Sequence, residues 1–180
     1  IDVIDKPYMQ TEQDVVFIYL PYILEENRES LIHYIPSKEE CEGRKRIVFS
    51  HNDIKGVQMG QFISKEGFEI DDIRLNCDLF LNGHLHNGEK ISDKIINVGN
   101  LTGQNFSENA FKYDHCAYIL DTDTMKVEVY ENPFALNFYK IDFTNSVDYN
   151  IFNQLKNAVI TVKCKGKDYK SISYVISNLN

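Results

Sequence analysis

Three short apolar runs constrain the fold of this chain more than anything else in it: Val15-Val-Phe-Ile-Tyr-Leu20, Arg46-Ile-Val-Phe-Ser50 and Asp78-Leu-Phe-Leu-Asn82. Each is rich in β-branched, aromatic or leucine side chains, is too short for a buried helix, and stops at a proline or a polar residue, so each reads as a buried strand. Pro21 closes the first, having no N–H to give to a ladder. From Glu25 to Tyr34 the residues favour a helix, with Leu24, Leu31 and Ile35 on one face, glutamates toward the positive N-terminal end and Pro36 as a stop. Between the second and third runs, Asp71 is placed to cap a helical turn that reaches Leu75. Strand, helix, strand, helix, strand predicts an α/β layer architecture around a largely parallel or mixed sheet.

Further strands are expected at Ile95-Ile-Asn-Val98, Cys116-Ala-Tyr-Ile-Leu120, Lys126-Val-Glu-Val-Tyr130 and Phe138-Tyr-Lys-Ile-Asp142, with Asp121 to Thr124 a tight turn and this part antiparallel. After Phe143 the composition shifts, and the pattern reads helix (Val147 to Asn157), strand (Ala158 to Cys164), helix (Tyr169 to Leu179). The expected division is a core over 1–143 and a small α/β tail over 144–180 that begins a second domain. A chain of 180 residues, 43% of them hydrophobic, can bury one core and a small appendage.

The formal charge of -8, from 19 Lys+Arg against 27 Asp+Glu, repels a polyanion at long range. Any contact with a nucleic acid would therefore have to be local or assisted by cations. Two basic stretches, Lys38 with Arg44 to Arg46 and Lys163 with Lys165, Lys167 and Lys170, read as solvated faces. Cys41, Cys77, Cys116 and Cys164 lack the Cys-x-x-Cys spacing of a structural zinc or dithiol site and read as reduced thiols of a cytoplasmic protein. No apolar run is long enough to span a membrane. The chain opens on Ile1, as expected of a fragment or a processed product.

Two of the three strands run directly into histidines. Ile47-Val-Phe49 is followed by Ser50-His51-Asn52-Asp53, and Phe80-Leu-Asn82 by Gly83-His84-Leu85-His86. Residues two apart in an extended chain point to one side, so His84 and His86 can face one pocket, and Gly83 allows an unusual backbone angle before them. If the strands are neighbours, His51, His84 and His86 meet at the C-terminal edge of the sheet, where open α/β sheets hold their ligands. Three imidazoles from two loops suit a borderline metal such as zinc, manganese or iron. His33, on the expected helix, and His115, at a strand start, read as structural.

In this order, Ile47-Val-Phe-Ser-His51, Asp78-Leu-Phe-Leu-Asn-Gly-His-Leu-His86 and Ile96-Asn-Val-Gly-Asn100 resemble the last two metal motifs of the calcineurin-like metallophosphoesterase superfamily. Carried over by position, the resemblance implies His51 and His84 as ligands of one metal and His86 as a ligand of the other. Val98-Gly-Asn-Leu-Thr-Gly-Gln-Asn-Phe-Ser-Glu108 resembles a loop of the exonuclease branch, the nuclease subunits of SbcCD-type DNA repair exonucleases of phages and bacteria. Here Asn100 and Leu101 stand where that branch has Ser-Pro, and Ser107 where it commonly has Gly. Tyr118 to Thr124 and Val129 to Phe134 resemble the hairpin and Asn-Pro turn of the same subunits. The resemblance covers roughly Val15 to Phe143; the tail corresponds only in placement to a DNA-binding cap.

This resemblance implies part of a layered β-sandwich core and metal-dependent phosphodiester hydrolysis, by a DNA exonuclease or endonuclease of DNA repair or phage DNA metabolism. It implies two divalent metal ions, manganese foremost, and as partners DNA, an SbcC-type coiled-coil ATPase subunit and a second copy of the complete protein. The family's Asp-x-His, Gly-Asp and Gly-Asn-His motifs have no counterpart among these residues, and Asp2 and Asp5 stand in no such context. No catalytic residue is therefore assigned, and the chain alone is expected to be inactive. The alternatives are a phosphatase or cyclic nucleotide phosphodiesterase of the same superfamily acting on small substrates, and a non-catalytic interaction module.

Overall fold

The apolar runs become the centre of a six-stranded mixed sheet. In chain order its strands are β1 (Tyr8–Glu12), β2 (Val15–Leu20), β3 (Lys45–Ser50), β6 (Leu79–Asn82), β7 (Glu89–Lys90) and β8 (Ile95–Asn97), arranged spatially as β1-β2-β3-β6-β8-β7. The inner neighbours β2/β3, β3/β6 and β6/β8 are parallel, and the outer pairs β1/β2 and β7/β8 antiparallel. The parallel strands are buried on both faces, which is why their sequences run apolar without alternation. The computed structural model describes residues 3–59, 62–108 and 110–178. β4 (Gln58–Met59) and β5 (Phe62–Ile63) form a separate antiparallel pair between β3 and the short helix α1 (Ile70–Asn76).

One face of the sheet, with Val16, Ile18, Leu20, Val48, Phe80 and Ile95, is covered by Leu31, Ile35, Phe68 and Ile73 from the helical connections. Burial there also pushes the Cys77 thiol up to about 12. On the other face, Val15, Ile47, Leu79, Leu81 and Ile96 meet Tyr118, Leu120, Met125 and Val127. Those side chains come from an antiparallel hairpin of β9 (Cys116–Asp121) and β10 (Lys126–Glu131), turned at the expected Asp121 to Thr124. Asp121 Oδ1 accepts from the Asp123 and Thr124 amides, as an Asx turn requires. All four cysteines are free thiols. Among the described residues no helix is long and apolar enough to cross a membrane.

Several expected elements take a different form. In place of one helix over Glu25 to Tyr34 there are two isolated 3₁₀ turns, Glu25–Asn27 and Leu31–His33. Side chains satisfy the backbone between them: Asp72 accepts from the Leu31 amide, while Tyr34 Oη accepts from the Glu29 amide and donates to the Asn27 carbonyl. Such bonds compete with the helical ladder and win here over local propensity. Asp71 is not the cap of α1; Glu69 takes that position without a side-chain bond, and Asp71 sits exposed in the first turn.

β11 (Asn137–Asp142) does not continue the antiparallel pattern. It pairs in parallel with β12 (Ala158–Lys163), across a connection containing the 3₁₀ segment Tyr149–Gln154, where helix is expected over Val147 to Asn157. The chain then forms α2 (Tyr169–Ser177); Leu179, the end of the expected helix, lies outside the described residues. Ile141 and Phe143 share one apolar cluster with Phe152 and Ile172, so β11 packs with the tail.

Candidate functional site

The C-terminal ends of β3, β6 and β8 lie side by side, and one buried asparagine belongs to each: Asn52 just beyond β3, Asn82 ending β6 and Asn97 ending β8. All three are fully buried, and hydrogen bonds link them in a chain through Asn82. The Asn52 amide donates to Asn82 Oδ1 at 3.0 Å, and Asn82 Nδ2 donates to the Asn52 carbonyl at 2.9 Å and to Asn97 Oδ1 at 3.3 Å. Asn97 Nδ2 reaches the carbonyls of Leu85 and Asn87 at 2.8 and 2.7 Å, flanking His86. Asn52 Oδ1 accepts from the Ile23 amide, and its Nδ2 donates to the Pro21 carbonyl, flanking Tyr22. In a low-dielectric interior, each of these groups would be costly to bury unpaired. Parallel strands and an asparagine staple thus fix the loops that carry His51, His84 and His86.

His51 and His84 come together, ring centroids 5.0 Å apart in an edge-to-face arrangement. Partial burial, with the nearby His84 and His86, holds the His51 pKa below the ordinary histidine value, so the ring is mainly neutral at pH 7, the form that can ligate a metal. His84 Nε2 lies 3.1 Å from Asp53 Oδ1, while its Nδ1 is buried without a hydrogen-bond partner. His86 turns another way, its Nδ1 donating to Glu108 Oε1 at 2.9 Å. Glu108, buried on a loop, also accepts from Asn100 Nδ2 and the Gln104 amide. A cleft of about 300 Å³ opens between Met59, His84, His86, Ser107 and Glu108.

The three sequence-identified histidines therefore share one sheet edge, but only His51 and His84 are in mutual contact. Among the described residues, no group of three or more His, Cys, Asp or Glu side chains is placed to hold a metal ion. His33 is exposed beside Ser30 and Glu29, and His115 is buried with Nδ1 donating to the Asn100 carbonyl. Sequence reasoning missed Tyr22, Asp53 and Glu108. Tyr22 donates from its hydroxyl to Asp53 Oδ2 at 3.2 Å and tilts over the His84 ring at 5.4 Å. The Asp53 charge pushes the Tyr22 phenol pKa up, keeping it a donor. Tyr22 and Asp53 both follow parallel strands by two or three residues, and that position was the available signal.

Gly83 corrects another expectation. Its backbone is not left-handed, and a Cβ there would make only ordinary contacts, the nearest with His51 Nδ1 at 3.6 Å. The demanding glycines lie behind the site. Gly67, at φ +113°, would place a Cβ 2.4 Å from the Asp53 backbone, and Gly99, at φ +67°, would place one 2.5 Å from the Gly88 nitrogen and 2.9 Å from the His86 carbonyl. Only glycine lets these segments approach so closely. Compared with known proteins, the sequence matches no family model and no curated protein.

Proposed function

We propose that this chain is the C-terminal half of a two-metal phosphoesterase core, and that the complete protein hydrolyses phosphodiesters in DNA. The observation that carries this reading is the His51–His84 contact at the C-terminal sheet edge, with a buried His84 Nδ1 that has no protein partner. A buried polar atom without a partner is rare and calls for an explanation, and a lone pair reserved for a cation supplies one. The separation of roles in the resembled family, His51 and His84 toward one metal and His86 toward the other, agrees with the contact between the first two and the different orientation of the third. The helical layer on one face of the sheet and the β9/β10 hairpin on the other support one half of a layered sandwich.

Divalent ions bound there would acidify a water and neutralise charge on the phosphodiester. His51 and His84 would hold one ion and His86 would contribute to the second, with Glu108 fixing the His86 ring. Neutral nitrogens do not offset two divalent charges, so a bridging carboxylate and further ligands must come from residues outside these 180. The 180-residue chain is accordingly expected to show negligible manganese-dependent nuclease activity. A longer protein carrying the missing motifs is expected to degrade DNA, to lose that activity with His84→Ala and to keep it near normal with His33→Ala. Robust metal-dependent cleavage by the 180-residue chain after joint replacement of His51, His84 and His86 would overturn the assignment.

A further inference from the structure

The residues around His84 form a second arrangement that the metal motifs do not include. Asp53 presents its two carboxylate oxygens in opposite directions. Oδ1 lies 3.1 Å from His84 Nε2, and Oδ2 accepts from the Tyr22 hydroxyl at 3.2 Å, with Arg28 Nη2 at 3.8 Å from the same oxygen. The Arg28 side chain is only 4% exposed, its Nη2 also donating to the Ile23 carbonyl at 2.7 Å, and its guanidinium lies 5.3 Å from the Phe68 ring centroid. The Asp53 backbone is held as firmly: its carbonyl accepts from the Phe68 amide at 3.0 Å, and Gly67 packs against it with no room for a side chain. A carboxylate confined in this way cannot rotate freely, and it presents a fixed negative oxygen to the imidazole beside it.

We propose that Asp53 is a positioning residue that fixes His84 in the Nε2-protonated tautomer, and that Tyr22 and Arg28 hold Asp53 for that task. This deepens the metal reading and rests on it for its purpose. An imidazole whose far N–H is given to a carboxylate is held in one tautomer, is a more basic ligand and loses less orientational freedom on binding a cation. Here Nε2 is the ring nitrogen that faces the carboxylate, where a hydrogen is favoured over a lone pair, so the lone pair is left on Nδ1, the atom that is buried without a partner. Asp53 and Tyr22 reach the same place from the ends of adjacent parallel strands, β3 and β2, and the Asn52 side chain ties the two loops together. Tyr22 adds a second restraint by tilting its ring over the imidazole.

The test uses the metal-free 180-residue chain and long-range ¹⁵N–¹H NMR of the histidine rings at pH 8, with His84 assigned from its loss in His84→Gln. The expected wild-type pattern is a protonated Nε2 and an unprotonated Nδ1 at His84. In Asp53→Ala that pattern is expected to collapse toward a mixture of tautomers; in Tyr22→Phe, which keeps the ring and loses the hydroxyl, it should shift part of the way. Asp53→Asn preserves side-chain size should the alanine variant unfold, and is expected to weaken or reverse the tautomer preference. A His84 pattern unchanged in every folded Asp53 variant would overturn the proposal whatever metal does.

A parallel titration with Co²⁺ alone, followed by visible absorption, separates this outcome from failure of the metal reading. Loss of the carboxylate partner is expected to weaken Co²⁺ binding by about 10- to 100-fold with band intensity unchanged at saturation. A change in band intensity would make Asp53 a ligand and overturn its positioning role. If the tautomer responds to Asp53 but His84→Gln leaves Co²⁺ binding intact, the positioning role stands and the metal reading fails.

Discussion

Asn82 is the residue on which most of the site geometry depends. It bonds to the backbone of Asn52 twice and to the side chain of Asn97 once, all within the fully buried end of the sheet. Asn82→Ala leaves the Asn52 amide and carbonyl and Asn97 Oδ1 without that partner. With about 1–3 kcal/mol for each buried group left unsatisfied, and partial relaxation, a loss of about 3 kcal/mol is expected, measurable by urea denaturation. A loss below about 1 kcal/mol would mean that water replaces the side chain without penalty. None of this was legible in the sequence, where Asn82 and Asn97 are single polar residues of expected strands and Asn52 looks like a loop residue after one. Asparagine is rarely buried, and only the register β3/β6/β8 shows that these three stand side by side. The histidines were legible for the opposite reason, because their chemistry is distinctive and each follows an apolar run at once.

Among the elements, the central strands were readable because burial on both faces leaves continuous apolar sequence, and β2, β3, β6 and β8 lie within a residue or so of their expected bounds. The helical connections were less readable. Asp72 takes the Leu31 amide from a distant part of the chain and Tyr34 takes the Glu29 amide, and such side-chain bonds to backbone leave no periodic trace in the sequence. The exposed strand β1 was missed, since an edge strand with every residue exposed carries no apolar signal. The tail element is the weakest in construction: a two-stranded sheet, β11/β12, closed by α2 over one small cluster around Phe143, Phe152 and Ile172. Two strands alone are marginal in water. Backbone amides of β12 and α2 are expected to exchange hydrogen faster than those of β3 and β6; equal protection in both would show that the tail unfolds only with the whole.

At the scale of the whole molecule, the charge of -8 opposes the proposed substrate. Without divalent ions, the 180-residue chain is expected to give no stable complex with duplex DNA at about 0.15 M salt in a fluorescence-anisotropy titration, because few phosphates can be neutralised by its dispersed lysines. Tight, metal-independent binding would place a DNA surface on this chain that its charge distribution does not suggest. The asparagine staple has a further consequence for how such a site is used. Because strands and amides, not ions, set the loop positions, a cation bound as proposed would meet ligands already ordered and have little chain to organise. Its affinity would then reflect chiefly the exchange of hydration water for protein ligands, so emptying and refilling the site would involve no refolding, and one metal could replace another on a scaffold that keeps its shape.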